Sequence, residues 1–247
     1  ILLHGEGSKA VLNSVSFKAN TAVNGGAISM KDASMITVNN CPMVKNRANI
    51  KKTDDAMTTK KLDDDGGWNG NGGDFFMTST LLVSTVVQWN NVVSTNPTSE
   101  NDGASMWCNG DSNDRINLVQ HHVSDSLAQG MGGVYHLSGA LTVVSKNGIY
   151  RKVTSTTHGA VVHASMNANI SMEAMQVFQA EALNGHGGVA RIESGSTLFI
   201  TASSSVTKAT AGKNGGVVSI SDKESTLVVR SLNTTQCHAK IDGGVFQ

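Results

Sequence analysis

A pair of small residues recurs along this chain at a nearly constant spacing, and no other feature restricts its fold as strongly. With the second residue of each pair as an anchor, the anchors are Gly26, Gly73, Gly103, Gly133, Gly159, Gly188, Gly216 and Gly244. From Gly73 onward, successive anchors lie 30, 30, 26, 29, 28 and 28 residues apart. A repeat of about 28 residues is typical of a solenoid, in which each repeat packs only on its neighbours.

Apolar residues alternate with other residues after each anchor, which predicts a strand with one face inward. The predicted inward positions of this strand are Ile28, Phe75, Ser105, Tyr135, Val161, Ala190 and Val218, followed two residues later by Met30, Met77, Trp107, Leu137, His163, Ile192 and Ile220. A second strand is predicted from the pairs Ile36/Val38, Leu81/Val83, Ile116/Leu118, Leu141/Val143, Ile170/Met172, Leu198/Ile200 and Leu227/Val229. A third, weaker inward position is predicted at Phe17, Val93, Val123, Ile149, Phe178 and Val206.

Three inward stretches per repeat predict an all-β fold, a single-stranded parallel β-helix of the pectin-lyase type with about eight coils. Because parallel crossovers are almost always right-handed, we expect a right-handed helix. We interpret residues 1–247 as one β-helix domain belonging to a longer chain, with residues 49–72 as a loop inserted between the first and second coils. The predicted structural corners are Gly25, Gly26, Gly72, Gly73, Gly132, Gly133, Gly187, Gly188, Gly215, Gly216, Gly243 and Gly244.

Composition excludes several functional classes. The formal net charge is +0 and only 15% of residues are charged, so no basic excess exists to neutralise nucleic-acid phosphates. No apolar run approaches the length of a membrane span. Aromatic residues make up 4% of the chain, which leaves few of them for stacking on sugars, although glycan binding stays among the expected partner classes.

One repeat resembles a known surface-protein motif. Phe17-Lys-Ala-Asn20 followed by Gly25-Gly26-Ala27-Ile28 is similar to the FxxN…GGA[ILV] repeat of chlamydial polymorphic outer membrane proteins. This resemblance implies an extracellular or cell-surface location and a role in adhesion.

A second resemblance supports an alternative function. Gly185-His186-Gly187 and Arg191-Ile192-Glu193 resemble motifs of polygalacturonase-type glycoside hydrolases, which are also β-helices. Glycoside hydrolysis requires two carboxyl groups beside the scissile bond, and the nearest pair here is Glu193 and Asp222. The competing interpretation makes His186 one member of a row before the corner, otherwise Asn24, Asn71, Asn101, Met131, Thr157, Asn214 and Asp242.

The inserted loop is the candidate partner-binding segment, because solenoid insertions project from one face. Its candidate contact residues are Asp63, Asp64, Asp65 and Trp68. The aspartates lack the spacing of a calcium loop, and no histidine or cysteine has metal-ligand spacing. We therefore predict no metal and no cofactor.

Three cysteines are too far apart along a solenoid to be joined. Cys41, Cys108 and Cys237 fall in different, non-adjacent coils, about 10 Å or more apart, whereas a disulfide requires Cα atoms within about 7 Å. We predict three free, mostly buried thiols.

From the residues we expect a non-enzymatic scaffold with no catalytic residue. It would act in adhesion or build an extended fibre or coat, with protein partners or like subunits, including end-to-end stacking. The alternative is a polysaccharide-processing enzyme that uses His186 and Arg191.

Overall fold

Three parallel sheets run the length of the molecule. The computed structural model describes residues 1–32, 35–49, 70–79 and 84–247, and this part of the chain contains strands but no helix. Sheet 1 consists of the strands Leu2–His4, Ile28–Lys31, Phe75–Thr78, Met106–Asn109, Tyr135–Ser138, Val162–Ser165, Ala190–Ile192 and Val218–Ile220. We number the coils 1 to 8 by these eight strands.

Sheet 2 consists of the strands Lys9–Asn13, Met35–Asn39, Val86–Asn90, Arg115–Val119, Thr142–Lys146, Asn169–Glu173, Thr197–Thr201 and Thr226–Val229. Sheet 3 consists of the strands Phe17–Lys18, Thr21–Ala22, Pro42–Val44, Arg47–Ala48, Val93–Thr95, Thr98–Ser99, His122–Ser124, Leu127–Ala128, Ile149–Ser155, Gln176–Ala182, Ser204–Ala211, Leu232–Thr235 and His238–Ala239.

Each strand pairs in parallel with the strand one coil before it and the strand one coil after it. In sheet 2, for example, Ile36 pairs with Val87, which pairs with Ile116 in the next coil. A single coil could not bury its apolar face, but stacked coils share one core that runs the length of the rod. The predicted parallel β-solenoid of about eight coils is confirmed.

The first glycine of each corner, rather than the second residue, is the constant position. Gly25, Gly72, Gly103, Gly132, Gly159, Gly187, Gly215 and Gly243 all have φ between +57° and +69°. A Cβ atom at each would overlap the carbonyl oxygen three residues later, so only glycine fits. The second residue is usually glycine but is Ala104 or Ala160 in two coils, where the sequence-based anchor was therefore one residue early.

Because these anchors lie one residue later than predicted, the predicted inward residues of sheet 1 in coils 4 and 6 are wrong. Met106 and Cys108 face inward instead of Ser105 and Trp107, because Met106 pairs with Phe75 and Cys108 with Met77. The predicted inward residues Val161 and His163 are likewise replaced by Val162 and Ala164, which pair with Tyr135 and Leu137. Because side chains alternate with period two, a slip of one residue reverses the face of the whole strand.

In sheet 2 the predicted inward residues Leu141 and Val143 are both buried in the core, and Ser145 is a further inward residue of that strand, since Val143 pairs with Ile116. Leu81 and Val83 lie outside the described residues, and the inward pair of that coil is Val87 and Trp89. In sheet 3 the inward residues are Ser94, Tyr150 and Val177, so the predictions of Val93, Ile149 and Phe178 are wrong, while Phe17, Val123 and Val206 are confirmed.

Both ends of the predicted insertion 49–72 belong to regular coil structure. Asn49 N donates to Ala22 O at 2.9 Å, and Gly70 N donates to Val23 O at 2.9 Å. Asn71 and Gly72 then form the corner. Residues 50–69, including the candidate contact residues Asp63, Asp64, Asp65 and Trp68, lie outside the described residues.

All three cysteines are free thiols. Cys41 and Cys108 are buried, and Cys237 is partly exposed. Cys41 Sγ accepts a hydrogen bond from Val15 N at 3.3 Å, in the preceding coil.

Candidate functional site

Sheet 1 is buried on both faces in its central coils, and its outward face carries a line of aromatic and charged side chains. We call this line the outer row; it comprises Leu2, Ser29, Phe76, Trp107, His136, His163, Arg191 and Ser219. Trp107 and His163 were expected inside the solenoid and instead occupy this row. Although they face outward, they are 0% and 1% exposed.

A second line of side chains, immediately before the corner glycines, covers the outer row. This corner row comprises Asn24, Asn71, Asp102, Met131, His158, His186, Asn214 and Asp242. The sequence-based row was shifted by one residue at two places, where it named Asn101 and Thr157. The corrected row places two histidines, His158 and His186, in consecutive coils.

The corner row uses its side chains to accept hydrogen bonds from the backbone of the next coil. Asn71 N donates to Asn24 Oδ1 at 3.2 Å, and Asp102 N donates to Asn71 Oδ1 at 3.1 Å. Met131 N donates to Asp102 Oδ1 at 2.6 Å, and His186 N donates to His158 Nδ1 at 3.0 Å. Because an imidazole nitrogen can accept as an amide oxygen does, a histidine can serve where the row otherwise carries asparagine or aspartate.

Four histidines of the two rows form a continuous stack of rings, which we call the imidazole stack. The ring centroids of His136 and His163 are 4.9 Å apart, those of His163 and His158 are 6.5 Å apart, and those of His158 and His186 are 5.3 Å apart. Trp107 stacks on His136 at 5.9 Å and closes one end.

Burial lowers the pKa of three members of the stack. It holds the pKa of His136 well below the usual range, an effect reinforced by His163. Burial, aided by the Arg191 guanidinium, lowers the pKa of His158 to about 4. The same two causes and Lys213 lower the pKa of His186. At neutral pH these rings are therefore uncharged.

Arg191 and Glu193 bind each other and their neighbours at the other end of the stack. Arg191 Nε lies 3.3 Å from Glu193 Oε2, and Arg191 Nη1 donates to Ser219 Oγ at 2.7 Å. Glu193 Oε1 lies 3.1 Å from His163 Nε2. The structure thus brings Arg191 and Glu193 together with His163, whereas His186 contacts His158.

The electrostatics of the two candidate carboxylates do not match acid catalysis. The hydrogen bond from His163 outweighs partial burial and lowers the pKa of Glu193 to about 2. Asp222 has limited desolvation to overcome, and hydrogen bonds from Ser225, Ser194 and Glu224 lower its pKa to about 2. Glycoside hydrolysis requires one carboxyl group that keeps its proton, so this pair lacks the general acid.

A second polar cluster lies inside the core and was not found from the sequence. Asp74 is fully buried; Asn46 Nδ2 donates to its Oδ1 at 2.9 Å, and Ser105 Oγ donates to its Oδ2 at 3.2 Å. Burial raises the pKa of Asp74 to about 6, against the opposing effect of these hydrogen bonds. The only sequence signal was a carboxylate at the residue after a glycine corner, where most coils carry valine or alanine.

The inner cluster continues through a buried histidine. Ser94 Oγ lies 3.3 Å from Ser105 Oγ and 3.2 Å from His121 Nε2. His121 Nδ1 lies 2.5 Å from the Tyr135 hydroxyl, which in turn lies 3.2 Å from that of Tyr150. Burial lowers the pKa of His121 to about 3, so it is neutral. Polar groups that would be costly alone are thereby satisfied within the core.

The outer face of sheet 3 carries an open groove with a volume of about 340 Å³. It is lined by Val93, His122, Val123, Ser124, Ile149 and Arg151. The Arg151 guanidinium also lies 5.3 Å from the ring centre of Phe178, an exposed neighbour. This groove carries one cation and a few exposed apolar side chains.

Among the described residues, no three His, Cys, Asp or Glu side chains are grouped so as to hold a metal ion. Nor does the described part of the chain contain a helix with the length and apolar character needed to cross a membrane.

Comparison with known proteins gave no match to any family model, to any curated protein or to any solved structure.

Proposed function

We propose that this chain is a non-enzymatic scaffold of the cell surface or the extracellular space, in which a rigid β-solenoid acts in adhesion or in an extended fibre or coat. The observation that carries the proposal is that the candidate catalytic carboxylates and the corner-row side chains all bind other parts of the chain. Asp222 caps a turn, Glu193 is held ionised by His163 and Arg191, and the corner row binds the next coil. These groups are occupied in joining coils to one another.

Continuous ladders suit a mechanical role. Each described strand within the stack is hydrogen-bonded on both sides, so separating two coils breaks three sheets together. The resemblance of Phe17-Lys-Ala-Asn20 and the following glycine corner to chlamydial surface-protein repeats supports the proposed location. Protein partners or like subunits would bind the outer faces or the loop that contains Asp63, Asp64, Asp65 and Trp68.

Location is tested by labelling intact and permeabilised cells of the source organism with an antibody against the purified chain. The proposal predicts equal labelling of both preparations. Labelling that requires permeabilisation would contradict it.

The alternative function is a polysaccharide-processing enzyme, favoured by the contact of Arg191 and Glu193 with His163. The purified chain is incubated with pectin and a panel of related glycans, and released reducing ends are measured. The scaffold proposal predicts no release. Cleavage that is lost in both His186→Ala and Arg191→Ala would establish the enzyme instead.

A further inference from the structure

The imidazole stack joins three consecutive coils at one corner. His136 belongs to the strand of coil 5 and His163 to that of coil 6, and the two are direct partners in sheet 1. His158 and His186 stand at the corners before coils 6 and 7 and lie against them from outside. Closing this corner over sheet 1 therefore requires all four rings to lie together.

The charged groups facing the stack are balanced when its rings are neutral. Asp102 Oδ2 lies 3.6 Å from His136 Nδ1, and Glu193 Oε1 lies 3.1 Å from His163 Nε2. Arg191 acts on His158 and His186, and Lys213 acts on His186. Two carboxylates thus face two fixed cations. Protonating the stacked rings adds positive charge, and the described residues place no further carboxylate against the stack.

Three buried ring nitrogens in the stack have no hydrogen-bond partner. They are the Nδ1 atoms of His136, His163 and His186. An imidazolium must place both of its N–H groups on acceptors or in water. Asp102 Oδ2, at 3.6 Å, is beyond hydrogen-bond distance of His136 Nδ1, and a proton on His158 Nδ1 would remove the acceptor of His186 N. Protonation of these rings therefore requires the corner to open.

We propose that the imidazole stack is an acid-operated latch, closed while His136, His158 and His186 are neutral and opened by their protonation, which exposes the outer face of sheet 1 around Trp107 while the rest of the solenoid stays folded. The direction of the pH dependence, opening at low pH, follows from the lowered pKa values of His136, His158 and His186. A lowered folded pKa gives stability that is present above the unfolded value of about 6.5 and is lost as pH falls toward the folded values. The corner should therefore open between about pH 6.5 and pH 4, the latter being near the pKa of His158.

Amide hydrogen exchange, measured by mass spectrometry at pH 7.5 and pH 4.5 and corrected for intrinsic exchange rates, tests this proposal. Peptides that cover the corners at Met131–Leu137 and His158–Ala164 should lose at least tenfold more protection on acidification than peptides from sheet 2, such as Asn169–Glu173. Equal protection at the two pH values would overturn the proposal. So would an equal loss in sheet 2, which would indicate global unfolding.

The double variant His158→Asn/His186→Asn separates titration from packing. Asparagine is the residue that this row carries elsewhere, and its side chain can keep the backbone hydrogen bond that His158 accepts. We expect the acid-induced loss of protection at the corner to fall at least fivefold in this variant. His122→Asn, on the outer face of sheet 3, should respond as the unchanged protein does. A double variant that opens as fully as the unchanged protein would overturn the latch.

Discussion

At the scale of the residue, the corner row shows why a 28-residue repeat favours asparagine before its glycine pair. The side-chain oxygen meets the backbone N–H of the equivalent residue one coil later, which would otherwise be unpaired. His158 takes the place of asparagine as an acceptor, since its Nδ1 accepts from His186 N, whereas Nδ1 of His186 itself has no hydrogen-bond partner. In the motif Gly185-His186-Gly187, the histidine belongs to the corner row and stacks on His158, and Gly187 forms the corner.

Removing one acceptor from the corner row should weaken the solenoid. In Asn24→Ala the N–H of Asn71 loses its partner, and we expect the free energy of unfolding to fall by about 1–2 kcal/mol. Asn24→Asp keeps an acceptor at a partly exposed site and should change it by less than about 0.5 kcal/mol. Urea denaturation followed by circular dichroism measures both; equal effects of the two variants would contradict the assigned role.

Because Asp74 is buried, its ionisation should lower the free energy of unfolding as the pH rises. Its folded pKa of about 6 lies above the unfolded value of 3.8, so its contribution is fully present below pH 3.8 and is lost as the pH rises through 6. Asp74→Asn keeps the shape and one acceptor oxygen, which can still accept from Asn46, but cannot ionise. The difference between the two proteins should therefore grow by roughly 3 kcal/mol in favour of the variant between pH 4 and pH 8.

The comparison is made by urea denaturation of both proteins across that pH range, with Ser105→Ala as a variant that leaves the carboxyl group in place. A pH-independent difference between the unchanged protein and Asp74→Asn would show that Asp74 does not titrate in the folded state in this range.

At the scale of the element, each coil depends on residues that turn the chain with positive φ. Besides the corner glycines, non-glycine residues have positive φ where sheet 2 gives way to sheet 3 in coils 1 to 7, including Asn40, Asn91 and Ala174. Asparagine tolerates this conformation, whereas alanine pays about 1 kcal/mol for it.

Ala174 has φ of +51°, so replacing it with glycine should relieve backbone strain. We expect Ala174→Gly to raise the free energy of unfolding by about 0.5 kcal/mol, because the relief of strain exceeds the added freedom of the unfolded chain. Ala140→Gly, at a position with negative φ, should lower it by about 0.5–1 kcal/mol. Thermal denaturation shows directly whether each variant is more or less stable than the unchanged protein. A loss of stability in both would contradict the strain assigned to Ala174.

The period of the repeat and the existence of three inward stretches were predictable from the sequence, because each coil buries apolar residues at fixed spacing. The register was not predictable in every coil. Gly103-Ala104 and Gly159-Ala160 each follow another small or polar residue, so the sequence offers two anchors, and only the positive φ of the first glycine distinguishes them. Phe178 and Val93 were misplaced for a related reason: Val177 and Ser94 beside them fit the inward position.

The candidate site was harder to predict than the fold. His163 was assigned to the core because of that shift of one residue, which concealed its pairing with His136. Asp74 gave almost no signal, because a buried carboxylate is recognised only by its partners, Asn46 and Ser105, which are distant in sequence. The first strand, Leu2–His4, was missed because no glycine corner precedes it in the sequence.

At the scale of the whole molecule, the account makes one geometric claim: residues about 28 positions apart lie one ladder spacing apart. Thr37 and Val228 occupy the same outward line of sheet 2, linked in register through Gln88, Asn117, Val144, Ser171 and Phe199. Six ladder steps of about 4.8 Å place their backbones about 29 Å apart. Asn117 and Val228 are separated by four steps, or about 19 Å.

Electron–electron double resonance between nitroxide labels tests this claim most directly. Labels are attached to Thr37→Cys/Val228→Cys and Asn117→Cys/Val228→Cys in a background in which Cys41, Cys108 and Cys237 are replaced by alanine. The account predicts narrow distributions near 29 Å and 19 Å, differing by about 10 Å. Broad distributions, or two mean distances that do not scale with the number of coils between the labels, would contradict the stacked-coil solenoid.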